Sequence, residues 1–252
     1  MPQTEVSGFH KKFKQGKFRV DTHSSAFCNI VSPFIKACKS EDSACILQSA
    51  RAAAPFVLPG IPDLGIKSLD PMRLNVIKSE QGGLKMLFKD TDLTGLKTCT
   101  IDHVKLDVSK MKQSVSLKCS KLLLEGNYKL SGQLLILPVQ GDGRYTIDIR
   151  DMAIKVSNEL STETGADGEP HWRIGKWKHS YKVLTGAHFT FQNLFNGNKA
   201  LAAPVEEFAN SNWKDVMEEI APPIVHAVLQ EIIAAVDSLY AAVPAAQLHI
   251  PS

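Results

Sequence analysis

Two periodicities predict an α+β protein built from a long antiparallel sheet and a long C-terminal helix. From residue 72 to about 193, apolar side chains recur at every second position with no helical stretch between the strands. That pattern excludes a doubly wound parallel sheet. Across 204–243 the apolar side chains recur instead at helical spacing: Val205, Phe208, Trp213, Val216, Met217, Ile220, Ile224, Val228, Ile232, Val236, Leu239 and Val243. About forty residues of helix span ~60 Å, whereas a compact globule of this length is roughly 45 Å across. The helix outruns the globule, so an elongated molecule with the helix laid along a curved sheet is expected.

The chain has 252 residues, 44% hydrophobic and 22% charged, which excludes disorder and collagen-like repetition. Its net charge of +3 sits wholly in the first 22 residues, where Lys11, Lys12, Lys14, Lys17 and Arg19 face only Glu5 and Asp21. The remaining body is neutral and gives no argument for a nucleic-acid partner. Phe9, Phe13 and Phe18 share that basic segment at roughly helical spacing and suggest a membrane-surface anchor. Gly8 and Gly16 weaken a helix there, so a solvated tail or a misjoined first exon is the competing reading. Residues 26–35 are apolar but interrupted by Asn29, Ser32 and Pro33, a poor signal peptide. No apolar run approaches the ~18 residues of a membrane span, so no integral membrane segment is expected.

Residues 30–58 read as helical, with Ile46, Leu47, Ala50, Ala53, Ala54 and Val57 on one face and Ser43 placed to cap the start. Pro59, Pro62 and Pro71 with Gly60 and Gly65 keep 58–71 from being a helix interior. Val104, Leu106 and Val108 then alternate with His103, Lys105 and Asp107, and a polar turn is expected over 109–114. Tyr128, Leu130, Leu134 and Ile136 continue the alternation, and Gly141-Asp142-Gly143 reads as a hairpin turn. Tyr145, Ile147 and Ile149 have one parity while Met152, Ile154 and Val156 have the other. A phase slip near Asp151 predicts a β-bulge, as long curved sheets need. Residues 158–170 read as a polar connection, and 172–183 and 188–195 as the last strands. Pro222-Pro223 predicts a kink in one long helix.

Signs of catalysis are missing. None of the eight histidines forms an H-x-x-x-H pair, and there is no C-x-x-C, G-x-S-x-G or Walker loop. His226 with Glu231, and Asp215 with Glu218 and Glu219, lie on a polar helix face where solvated side chains are the better reading. No catalytic residue, metal or cofactor is therefore assigned. Cys38 and Cys45 enclose a short polar excursion; a disulfide there would contribute roughly 2.5 kcal/mol, and two reduced thiols would suit a cytosolic chain. A hairpin centred near Met111 puts Cys99 opposite residue 123 and Cys119 opposite residue 103. Both are expected as free thiols, with Cys28 the odd one of five.

The segments GIPDLGIKSLDP (60–71), LLILPVQGDGRYTIDI (134–149) and NLFNGNKALAAPVEEFANSNWKDVMEEIAPPIV (193–225) resemble, in order, those of the insect takeout and haemolymph juvenile-hormone-binding proteins. Cys38 and Cys45, after Pro33-Phe34, resemble that family's N-terminal cysteine pair and imply a disulfide. The resemblance covers about 30–251 and identifies a takeout-like member. Its juvenile-hormone carriers have a second disulfide between later cysteines; here no cysteine follows Cys119, a departure that places the chain nearer the takeout-like members and counts against juvenile hormone as its ligand. The resemblance implies an elongated tubular lipid-binding (TULIP-like) fold, a highly curved antiparallel sheet wrapped around the long helix. It also implies non-covalent carriage of a terpenoid or fatty-acyl ligand, secretion into haemolymph or sensory fluid, and kinship with circadian and feeding-related proteins. On this reading 1–27 is a basic tail, 28–252 is one monomeric domain, and Val216, Ile220, Ile224 and Val228 are candidates for a tunnel wall. Trp172, Trp177 and Tyr181 are candidates to gate its mouth. The rival is a membrane-surface or protein-interaction module using the basic Phe-containing segment.

Overall fold

The computed structural model describes residues 34–251. The basic segment 1–27 and Cys28 lie outside the described residues. The chain opens with β1 (Cys38–Lys39) and α1 (Ser43–Val57). Asp42, not Ser43, caps α1: its carboxylate accepts from the Cys45 N–H at 2.9 Å, and Ser43 is already the first helical residue. A carboxylate one position earlier reaches the orphan N–H and also faces the positive end of the helix dipole.

Next comes a six-stranded antiparallel sheet: β2 (Met72–Gln81), β3 (Leu84–Thr94), β4 (Cys99–Asp107), β5 (Lys112–Leu134), β6 (Leu137–Thr164) and β7 (Pro170–Phe191). The strand order is β2-β3-β5-β6-β7, and β4 pairs with the first part of β5 before β3 takes over the same edge. The slip anticipated at Asp151 is present. The register shifts between Arg150 and Met152, Asp151 has φ 51°, and the Thr185 hydroxyl donates to its carboxylate at 2.5 Å. Ile147 and Ile149 before the bulge, and Met152 and Ile154 after it, are therefore all buried. Asp90 (φ 51°) marks a second bulge, between Lys89 and Asp92. Opposite it stands Gly126, where a Cβ would fall 2.9 Å from the Lys89 carbonyl oxygen, so only glycine lets the two backbones approach.

Several boundaries move. The β5–β6 hairpin turns at Leu135 and Ile136, since Leu134 pairs with Leu137. Gly141 and Gly143 lie inside β6 instead, and a Cβ at Gly141 would come within 2.5 Å of the Tyr128 hydroxyl. Those glycines make room for the hydrogen bond from that hydroxyl to the Gln192 carbonyl (2.8 Å) rather than for a turn. The polar run 158–164 continues β6 with its outer face in water, leaving only 165–169 as a connection to β7, which runs unbroken through the first anticipated strand and into the second but ends at Phe191, short of 192–195.

The C-terminal helix is two helices, α2 (Lys199–Ser211) and α3 (Trp213–Ala242). They part at Asn212, whose backbone N–H and side-chain amide both donate to the Phe208 carbonyl and end the first ladder. Pro222 and Pro223 sit inside α3 without ending it, held between buried Ile220, Ala221, Ile224 and Val225. By length and composition α3 would pass for a membrane span. Its apolar face is instead taken by the sheet, against which it packs on β7 and β2. The chain closes with α4 (Ala245–Leu248) and β8 (His249–Ile250), the latter pairing in parallel with β1.

Two features fasten this frame. Asp237 on α3 accepts from the Nε–Nη2 edge of the Arg173 guanidinium (3.1 Å from Nε, 2.6 Å from Nη2) and from the Ile174 N–H (2.7 Å). Burial works against the Asp237 carboxylate, but these donors hold its pKa below the usual value. The second feature overturns the free-thiol expectation: Cys99 and Cys119 are disulfide-bonded. The β4–β5 turn spans 108–111, Asp107 pairs with Lys112, and a bulge between Ile101 and His103 brings Cys99 opposite Cys119. The turn is shorter and earlier than the polar composition of 109–114 suggested. Cys38–Cys45 is bonded as well.

Substituting alanine for both Cys99 and Cys119 is expected to destabilise the protein by about 3 kcal/mol in urea unfolding. A non-reducing peptide map should recover the 99–119 cross-link. Asp237→Asn should cost about 2–3 kcal/mol, because a charged acceptor of several hydrogen bonds is lost. The Asp237 pKa is depressed in the fold, so its contribution is complete above the unfolded value of about 3.9 and fades as pH falls through the lower folded value. Melting curves below pH 4 should therefore converge for wild type and Asp237→Asn.

Candidate ligand cavity

Near one end of the molecule the sheet, α1 and the C-terminal half of α3 fail to close on one another and leave a cavity of ≈310 Å³. On the α1 side its wall is Ile46, Ala50, Ala53, Ala54 and Val57. These are five of the six residues of the apolar stripe read from sequence, Leu47 being the one that does not line it, and the three alanines leave room for the space. Strands β4 and β5 supply Ile101, Val104, Leu106, Val115 and Leu117, and β6 and β7 supply Val156, Trp172 and Ile174. From α3 come Leu229, Ile232, Ile233, Val236, Leu239 and Tyr240. Cys99 lies on the wall, so its bond to Cys119 fixes the register of the strands that frame the space.

Val216, Ile220, Ile224 and Val228 do not reach this cavity. They lie earlier on α3, at most 9% exposed, packed into the main core. Toward the other end of the sheet, Leu130, Phe189 and Leu194 among others line a void of only ≈10 Å³. That volume is about one water. The stripe on α3 thus changes role along its length, sealing the core first and lining the cavity from Leu229 onward. Of the proposed gate aromatics, Trp172 is buried in the cavity wall, edge-on to Tyr240 at 5.9 Å. Trp177 stacks on His226 of α3 at 4.9 Å, and Tyr181 packs partly buried against the core; neither lines the cavity.

The acid–base candidates are structural or peripheral. Glu219 accepts from the Leu135 N–H (2.9 Å) and holds the β5–β6 hairpin to α3. His179 is held below the usual histidine range by burial and by the neighbouring His226. Among the described residues no group of three or more His, Cys, Asp or Glu is placed to hold a metal ion.

The polar lining residues are Lys36 before α1 and Ser49 within it, with the Ser49 hydroxyl tied to the Lys36 backbone, and, on the sheet and α3, Gln113, Asn158 and Tyr240. Gln113 and Asn158 are direct cross-strand partners of β5 and β6, and the Gln113 amide donates to the Tyr240 hydroxyl at 2.7 Å. Burial pushes the Tyr240 pKa up against the opposing effect of that hydrogen bond, so the hydroxyl keeps its proton. Sequence reading missed Gln113, Asn158 and Tyr240. Tyr240 follows Val236 by one helical turn and was legible as a wall residue; Gln113 was hidden in the supposed turn.

A curved sheet around a long helix, with an apolar cavity between them, defines a class: elongated tubular proteins that hold an apolar molecule. Within that class the chain belongs to the haemolymph juvenile hormone binding protein family, whose sequence pattern matches residues 21–249. Takeout 1 of Epiphyas postvittana shares the fold with a TM-score of 0.81 at 32% identity, covering 85% of this chain and 99% of that one. The circadian clock-controlled protein daywake of Drosophila melanogaster is 28% identical over 221 residues, 83% of this chain and 85% of its own length. A putative beta-carotene-binding protein of Schistocerca gregaria is 21% identical over 178 residues, 70% of this chain and 71% of its own.

A cavity wall made by alanines can be filled. Ala53→Phe is expected to weaken an apolar fluorescent probe at least about tenfold, since loss of even two buried methylenes is worth that much. Ile220→Ala, in the sealed core, should instead lower stability by about 2–5 kcal/mol. Probe titration and urea unfolding of the two variants separate the roles.

Proposed function

We propose that this protein binds and carries a small hydrophobic ligand, a terpenoid or fatty-acyl molecule, non-covalently in the cavity between α1, the sheet and α3. The observation that carries the reading is the ≈310 Å³ space, lined almost entirely by aliphatic side chains. Volumes of this order suit small ligands, and a water-filled apolar hollow of this size gains by exchanging its water for hydrocarbon. Each buried CH₂ contributes ~0.8 kcal/mol, so a chain of about ten carbons supplies ~8 kcal/mol before ordering costs are met. The name of the Schistocerca gregaria relative, a putative carotene binder, is in keeping with an isoprenoid cargo.

Secretion fits the same picture. The two disulfides, Cys38–Cys45 and Cys99–Cys119, suit an oxidising compartment, and the family is one of haemolymph proteins. Carriage needs no catalytic group.

Native mass spectrometry of the full chain, before and after incubation with a lipid extract, tests the proposal. A retained apolar molecule at one per chain is the expected result, lost in Ala53→Phe. Failure to retain any such molecule, with liposome binding that depends on the basic N-terminal segment, would replace the carrier with a membrane-surface protein.

A further inference from the structure

The geometry points to Gln113, Asn158 and Tyr240 as a polar anchor that orients the ligand and selects one carrying an uncharged oxygen function, such as a ketone, ester or alcohol, over a carboxylate. The inference rests on the carrier reading and specifies the chemistry of its ligand.

Buried polar groups in an apolar wall are costly unless they find partners. Asn158 is 5% exposed. Among the described residues, its side chain makes one hydrogen bond, a long 3.5 Å contact from Nδ2 to the carbonyl of the adjacent Glu159. Its Oδ1 has no partner there. The Tyr240 oxygen accepts from Gln113, leaving the hydroxyl proton to donate elsewhere. The Gln113 Oε1 is likewise unengaged among the described residues. Either placement of the Gln113 amide leaves at least one donor and one acceptor directed at the cavity. A ligand oxygen set between Asn158 and Tyr240 would take hydrogen bonds from both, and a hydroxyl could return one.

The absence of an unpaired charge at this cluster gives the selectivity. Arg173 falls between two wall residues, Trp172 and Ile174, but its guanidinium is already paired with Asp237 and Glu163. Lys36 borders the cavity but is exposed and belongs to the segment before α1. A carboxylate at the cluster would be ionised, buried and without a cation, whereas a ketone there replaces two water hydrogen bonds with two protein ones. The enclosing aliphatic wall then takes the chain.

Displacement of N-phenyl-1-naphthylamine from the full-length protein at pH 8 tests this with three ligands of one chain length: 2-tetradecanone, 1-tetradecanol and tetradecanoic acid. Ketone and alcohol should compete at about tenfold lower concentration than the acid, the cost of one unpaired buried charge being at least that large. Asn158→Leu should reduce the ketone-to-dye affinity ratio about tenfold, the worth of one buried hydrogen bond. Tyr240→Phe, which removes one oxygen atom and keeps the ring in place, should do the same and serves if Asn158→Leu does not fold. Equal competition by all three ligands, or an unchanged ketone-to-dye ratio in Tyr240→Phe, overturns the anchor and leaves the carrier standing. Tighter binding of the acid that is lost in Lys36→Gln overturns it too, placing the polar end at the rim. If neither dye nor ligand binds, the carrier reading falls and the anchor with it.

Discussion

A straight strand of 28 residues would be about 90 Å long, while a helix of 30 residues is about 45 Å. Strand β6 can lie along α3 only by bending, and everything distinctive about the molecule depends on how it bends. In β6 the bend comes at Asp151, a left-handed residue at the register shift against β7, and the apolar side stays inward on both sides of it. Thr185 pins that bulge, while the one at Asp90 bends the neighbouring β3 and is admitted by the missing Cβ of Gly126. Without the correction at Asp151, about half of the buried side chains of β6 would face water.

The same bend leaves the cavity. A sheet curled tightly enough to grip α3 along Val216 to Val228 leaves a gap beyond, where the helix and α1 diverge. The gap stays open because α1 presents alanines to it, and stays framed because Cys99–Cys119 locks the strands on its far side. Packed core and cavity wall therefore occupy successive stretches of one helix rather than opposite faces of it. Asp237, one residue past Val236 of the cavity wall, ties that functional stretch to β7 by its grip on Arg173 and Ile174.

What could be read from the sequence was whatever has a period. The alternation over the strands, its change of phase at Asp151 and the overlong apolar stripe all led to the right architecture, and the ordered family segments agreed. Features set by one residue of register were not readable. Cys99 meets Cys119 because a turn closes at 108–111 and a bulge near Asp102 shifts the pairing, and neither event leaves a composition signal. Gly141 and Gly143 looked like a turn, but Gly141 answers to the Tyr128 hydroxyl and Gly143 to the Gln192 carbonyl, partners remote in sequence. Likewise, helical spacing identified the buried face of α3 but could not tell packed core from cavity wall, since both require aliphatic side chains.

The pairing of β1 with β8 joins the two ends of the described chain in parallel, Cys38 beside His249 and Lys39 beside Ile250. Tension applied to the two ends would load this pairing in shear rather than peel it apart. The Cys38–Cys45 bond lies directly behind β1 and would carry the force into the first turn of α1. The first element to yield mechanically would thus be the small clasp at the cavity end. The bulk of the sheet would feel the load only after the pocket had begun to open.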